Sequence, residues 1–177
     1  MEPNAPPPMT RWQALDTLQQ AGVSVFVSMS PTYPTTDEDD FHELLSYFRA
    51  LGEVVVFHEP INPRGANSQQ CLTAAKEAGY DDVVDELQQM QDSHQYWVEY
   101  ALAQLNMVQQ VATRFDGLEV HSWPDDELAR STSGQLRSKL NAMQQAVSPE
   151  SFSGRRIGAS AEQSKLANET SSLEHLI

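Results

Sequence analysis

Apolar side chains recur at Phe41, Leu44, Leu45 and Phe48, the i, i+3, i+4, i+7 spacing of a helix with one face on a core. Thr36 or Asp37 can cap that helix, and the acids Asp37, Glu38, Asp39 and Asp40 suit the positive end of its dipole. The same reading predicts an earlier helix from Arg11 to about Gln20, capped by Thr10, with Trp12, Leu15 and Leu18 on one side and Gly22 beyond its end. Runs of β-branched and aromatic residues give strands at Val23–Ser28, Val54–Val56 and Leu118–His121. Between the second and third strands lie three helices. One is capped by Asn67, contains Cys71, Leu72, Ala74, Ala75 and Ala78, and is closed by Gly79. The second runs from about Asp81 to Met90. The third runs from about Ser93 to Phe115, with Trp97, Ala101, Leu105, Val108, Ala112 and Phe115 on one face and Gly117 as its breaker. A last helix spans Gln135 to about Val147.

This alternation of helices and strands is that of an α/β protein with parallel strands. Parallel sheets are normally covered on both faces and hold more strands than three, so the pattern reads as part of a larger fold. Residues 1–147 form the predicted domain. Residues 148–177, rich in Ser, Gly and Ala, are expected to be a disordered tail.

Each strand is followed by an abrupt change of chemistry. After Val54–Val56 comes Phe57-His58-Glu59-Pro60-Ile61-Asn62-Pro63-Arg64-Gly65-Ala66-Asn67, expected to be an exit loop stiffened by two prolines. Loops at the carboxyl ends of parallel strands are where α/β proteins bind ligands. His58, Glu59, Asn62 and Arg64 are therefore candidate substrate contacts for a polar or anionic group, with Arg64 offering a planar fork to carboxylate or phosphate. Against that stands a scaffold role, Glu59 pairing with Arg64 and Asn62 tying down the backbone. Tyr33, between Pro31 and Pro34 after the first strand, is a further substrate contact or a packing aromatic. A metal site of His58, Glu59 and His121 has no HxH, HExxH or CxxC spacing behind it. Cys71 sits at a helical position among Leu72 and alanines, where a structural thiol is usual. No nucleophile stands beside His58, so the catalytic group is unassigned.

Composition narrows the class. Of 177 residues, 40% are hydrophobic and 20% charged, which suits a globular core. No apolar run approaches the ~20 residues of a bilayer span and no secretory signal opens the chain, so a cytoplasmic protein without membrane contact is expected. The formal net charge of −14, with no basic stripe, argues against nucleic-acid binding by this chain alone. Three lysines against 25 acids would suit a high-salt cytoplasm. A single cysteine excludes an intrachain disulfide and any cluster held by several cysteines of this chain.

Several ordered segments carry a family likeness: Glu2-Pro3-x-Ala5-Pro6, Arg11-Trp12-x-Ala14-Leu15, Leu18-Gln19-Gln20-Ala21-Gly22, Ser30-Pro31-Thr32-Tyr33-Pro34, the stretch from Phe57 to Asn67, and Val120-His121-Ser122-Trp123-Pro124-Asp125. Over roughly residues 1–130 the chain resembles the second half of radical SAM enzymes, nearest to the spore-photolyase-like branch and its uncharacterised relatives. The resemblance implies the later half of a partial (β/α) barrel. It also implies S-adenosylmethionine and a 4Fe–4S cluster on a missing segment or a partner, because the CxxxCxxC loop of the family is not in this chain. Glu2 would then lie at a strand end near the adenosylmethionine ribose or the substrate, unless it is only an N-terminal carboxylate. The function so implied is a fragment or split subunit that contributes substrate-side and adenosylmethionine-side loops to a cluster-bearing half-barrel. The alternatives are a catalytically inactive binding module or truncated remnant and, further off, a metal-dependent hydrolase.

Overall fold

A computed structural model describes residues 5–52, 54–63 and 66–146. Glu2, Arg64 and the tail from 148 lie outside the described residues. The chain runs α1 (Pro8–Gln20), β1 (Phe26–Thr32), α2 (Glu38–Arg49), β2 (Val54–Pro60), α3 (Ala66–Ala78), α4 (Asp81–Asp92), α5 (His94–Ala112), β3 (Leu118–Ser122), α6 (Asp126–Arg130) and α7 (Gly134–Ala146). The three strands form one open parallel sheet in the order β1-β2-β3.

The helices start where their caps dictate. Asp37 accepts from the Asp40 amide at 2.9 Å while Asp40 accepts from the Asp37 amide at 3.0 Å, a reciprocal capping box that fixes the first turn of α2. Ser93 accepts from the Tyr96 amide at 3.2 Å at the head of α5. Helix α1 begins three residues before the Arg11 start read from the sequence. Pro8 takes its first position, where a missing N–H forfeits no hydrogen bond, so Thr10 is inside the helix and not its cap. No residue of α1 is buried. Trp12 donates from Nε1 to the Tyr47 carbonyl at 2.9 Å, whereas Leu18, expected on the core side, is 45% exposed.

In chain order, right-handed crossovers between parallel strands put the connecting helices on one side of the sheet. Here α2 and α5 lie together on that side. Val27 and Met29 of β1 and Val54 and Val56 of β2 pack with Phe41 and Leu45 of α2 and with Val108 and Val111 of α5. A second core joins Leu72 and Ala75 of α3, Leu87 and Met90 of α4, Trp97 and Ala101 of α5, and Leu128 and Leu140 from α6 and α7.

The opposite side of the sheet has a different character. Phe26, Ser28 and Ser30 of β1, Val55, Phe57 and Glu59 of β2, and Glu119 and His121 of β3 alternate with the core-facing residues and point this way. Phe26 is 56% exposed, and Ser28, Ser30 and Glu119 are exposed with it. None of the eight belongs to either core, although Val55 is buried. Among the described residues, no helix is long and apolar enough to cross a membrane.

Two strands differ from their sequence reading. β1 is displaced toward the C-terminus, to Phe26–Thr32, because its register is set by β2, with Phe26 beside Val55 and Ser28 beside Phe57. It tolerates Pro31 because it is an edge strand, where a missing N–H breaks no ladder. β2 does not stop at Val56 but continues through Phe57, His58, Glu59 and Pro60, paired on both sides up to His58. Pairing with two neighbours outweighs the low strand propensity of these polar residues.

Candidate functional site

The extension of β2 decides where the candidate residues go. In a strand, successive side chains leave opposite faces, so His58 and Glu59 part company. His58 turns toward the helices and is fully buried. Its ring meets Phe41 edge to face at 5.6 Å between centroids, and its Nε2 lies 3.1 Å from Thr32 Oγ1. Nδ1 has no hydrogen-bond partner among the described residues. Burial pushes the His58 pKa down to about 4, so the imidazole is neutral at neutral pH. The sequence placed His58 on an exit loop in reach of substrate. The structure corrects this: His58 is an interior residue on the far side of the sheet from Glu59. It cannot converge with Glu59 and His121 on one ion, since both of these leave from the open face.

Glu59 is half-buried at the carboxyl end of β2, and its Oε2 accepts from Ser30 Oγ at 2.9 Å. It lines a cleft of about 590 Å³ between the ends of β1 and β2 and the helices α3 and α4. Tyr33, Asn62, Ser68 and Cys71 line the cleft with it, as do Pro31, Pro60 and Ile61. A volume of this size matches small-molecule sites. Three of the residues singled out in the sequence, Tyr33, Glu59 and Asn62, are therefore brought together. Tyr33 donates weakly from its hydroxyl to Cys71 Sγ, 3.8 Å away. Cys71, read as a buried structural thiol, is half-buried and forms part of the cleft wall.

The floor is held rigidly. Asn62 donates from Nδ2 to Asp125 Oδ2 at 2.8 Å, joining the exit of β2 to that of β3. Asp125 also caps α6, accepting from the Glu127 amide at 2.7 Å. Trp97 donates from Nε1 to the Ile61 carbonyl at 3.1 Å, and the Ile61 amide donates to the Thr32 carbonyl at 3.1 Å. That carbonyl also accepts from the Tyr100 hydroxyl at 3.0 Å, and burial raises the Tyr100 pKa. The Trp123 amide donates to the His58 carbonyl at 2.7 Å and carries the ladder into the third exit loop. These ties link the segments that follow the three strands with one another, with α5 and with the head of α6.

The open face beside the cleft carries an aromatic row that the sequence reading did not pick out. Phe26 meets Phe57 edge to face at 5.5 Å, and Phe57 stacks on His121 at 5.7 Å with 24° between the rings. His121 Nε2 lies 2.9 Å from Glu119 Oε1 on the same face. The period-two spacing of Phe26, Ser28 and Ser30, and of Val55, Phe57 and Glu59, was the signal for this row. It becomes legible once β2 is taken through to Pro60.

Comparison with protein-family models, curated proteins and solved structures found no match.

Proposed function

We propose that this chain is the substrate-side half of a (β/α) barrel of the radical SAM type, a cytoplasmic split subunit that binds and orients a small molecule. The observation behind this reading is the sheet itself. Its parallel strands follow chain order with α2 and α5 on one side, and they present Ser28, Ser30, Phe57, Glu59 and His121 on the other. A mixed aromatic and polar face of that kind is what a barrel turns toward its interior when a binding site lies there. The cleft at the carboxyl ends of the strands lies at the matching end of such a barrel.

The chain's own residues do not fit a 4Fe–4S cluster, which takes several cysteine thiolates, because Cys71 is the single cysteine. The cluster and the reduction of S-adenosylmethionine therefore fall to the partner half. In this reading Glu59, Asn62 and Tyr33 position the substrate, and Phe26, Phe57 and His121 meet the partner.

Sedimentation of the full chain mixed with a half-barrel protein bearing a CxxxCxxC loop tests this directly. A stable complex is expected, and Phe57→Asp should abolish it while leaving the circular dichroism spectrum of the chain unchanged. No complex with any such half, or a complex indifferent to Phe57→Asp, would remove the split-subunit reading. A second reading, a binding module that works alone, is favoured by one observation: the cleft is built within this chain. It predicts a monomer that binds its ligand without a partner.

A further inference from the structure

The charge around the cleft says what kind of ligand it accepts. Among the described residues that line it, Glu59 is the one formally charged side chain. Ser30 Oγ fixes one of its carboxylate oxygens, and no cationic side chain among the described residues pairs with it. Asn62, on the same wall, is backed by a second carboxylate, Asp125. The rest of the described lining is neutral: polar at Asn67, Ser68 and Gln70, with the Tyr33 ring and the Cys71 thiol, and apolar over much of the remainder, including Pro31, Pro60 and Ile61.

We infer that this cleft takes a small ligand carrying a primary ammonium group, with Glu59 as its counter-ion and the proline and isoleucine surface holding its carbon skeleton. The inference rests on the reading of the cleft as a ligand site and adds the sign and class of the ligand. A ligand that displaces water from a half-buried carboxylate must replace the lost hydration with a compensating charge. An ammonium does so with a charge-assisted hydrogen bond to the free oxygen of Glu59. An anionic ligand would instead bring a second negative charge into a partly dewatered space. The chain's net charge of −14 acts in the same direction at long range, concentrating cations and repelling anions.

Cys71, in the cleft wall, serves as the reporter. Its alkylation by iodoacetamide would be followed by mass spectrometry on the full chain, with n-butylammonium, n-butanol or butyrate added at matched ionic strength. Amide shifts of Ser30, Glu59 and Asn62 would be recorded in the same solutions. n-Butylammonium should slow alkylation at least about twofold at millimolar concentration, the affinity range open to so small a ligand, and move those amides. Butanol and butyrate should do neither, and Glu59→Gln should abolish the ammonium effect. Protection by butyrate or butanol equal to or greater than that by n-butylammonium would keep the cleft as a ligand site but overturn the ammonium assignment. Protection that survives in Glu59→Gln would overturn the role of Glu59. If no probe changes either readout, both the inference and the ligand-site reading beneath it fall.

Discussion

Acidification should unfold this protein partly through one side chain, His58. Its pKa is 6.5 when unperturbed and about 4 in the folded chain, where burial penalises the imidazolium. The unfolded chain therefore binds a proton at His58 more readily than the folded one, and protonation favours unfolding. The sign follows. His58's contribution to stability is fully present above about pH 6.5 and declines as the pH falls through the window from 6.5 toward 4. At 1.36 kcal/mol for each pKa unit, the decline is about 2 kcal/mol by pH 5 and about 3 kcal/mol over the whole window. A loss of 2 kcal/mol is a large share of the stability of an ordinary domain.

Urea unfolding from pH 8 to pH 5 on the native chain and on His58→Leu measures this directly. At pH 8 the variant should be less stable by about 1 kcal/mol, because the contact with Thr32 Oγ1 is lost. Its profile should then be flatter by about 2 kcal/mol between pH 8 and pH 5. Every other ionisable group is common to the two proteins, so the difference between the two curves isolates His58. Parallel curves would refute the reasoning. If the variant fails to fold, the His58 Cε1 proton of the native chain decides the matter: a midpoint near 6.5 would show that burial does not depress the ring's pKa.

Three further substitutions probe the frame of the fold. Asp37→Ala removes the acceptor of the α2 capping box and should cost about 1 kcal/mol in thermal or urea unfolding, and a loss near zero would show that α2 is positioned by its core face alone. Asn62→Ala should cost about 1 kcal/mol, and Asp125→Ala more, because Asp125 also caps α6. A double-mutant cycle should give a coupling of at least about 0.5 kcal/mol between them, and additive losses would mean that the two exit loops are not joined through this bond.

What the sequence disclosed depended on whether the signal was local. Helix α2 could be read because its cap, its acidic first turn and the buried pair Phe41 and Leu45 lie within twelve consecutive residues. Even there the stripe was too wide, for Leu44 is 37% exposed. The end of β2 could not be read, because His58 and Glu59 look like loop residues and become strand only through pairing with β1 and β3. That one misplacement put His58 in the candidate site and hid Phe57 from it. Tyr33, Glu59 and Asn62, which line one cleft, could be singled out because polar residues after an apolar run are conspicuous whether the strand ends early or late. Helix α6 was missed for a simpler reason: five residues are too few to show a period, and Trp123–Asp126 resembles a turn.

The strand order of the sheet bears on how the protein is made. Because β1, β2 and β3 sit side by side in the order of synthesis, no later strand has to insert between two earlier ones. As the chain leaves the ribosome, β1 and β2 can close around α2 while α5 and β3 are still unmade, and each new unit then adds to a free edge. Folding can thus keep pace with translation, element by element, from the N-terminal side. The hazard of this route is that the aromatic face of the half-built sheet, Phe26 and Phe57, meets its crowded surroundings from the moment β2 is in place, so chaperones that hold nascent chains would act on this protein early.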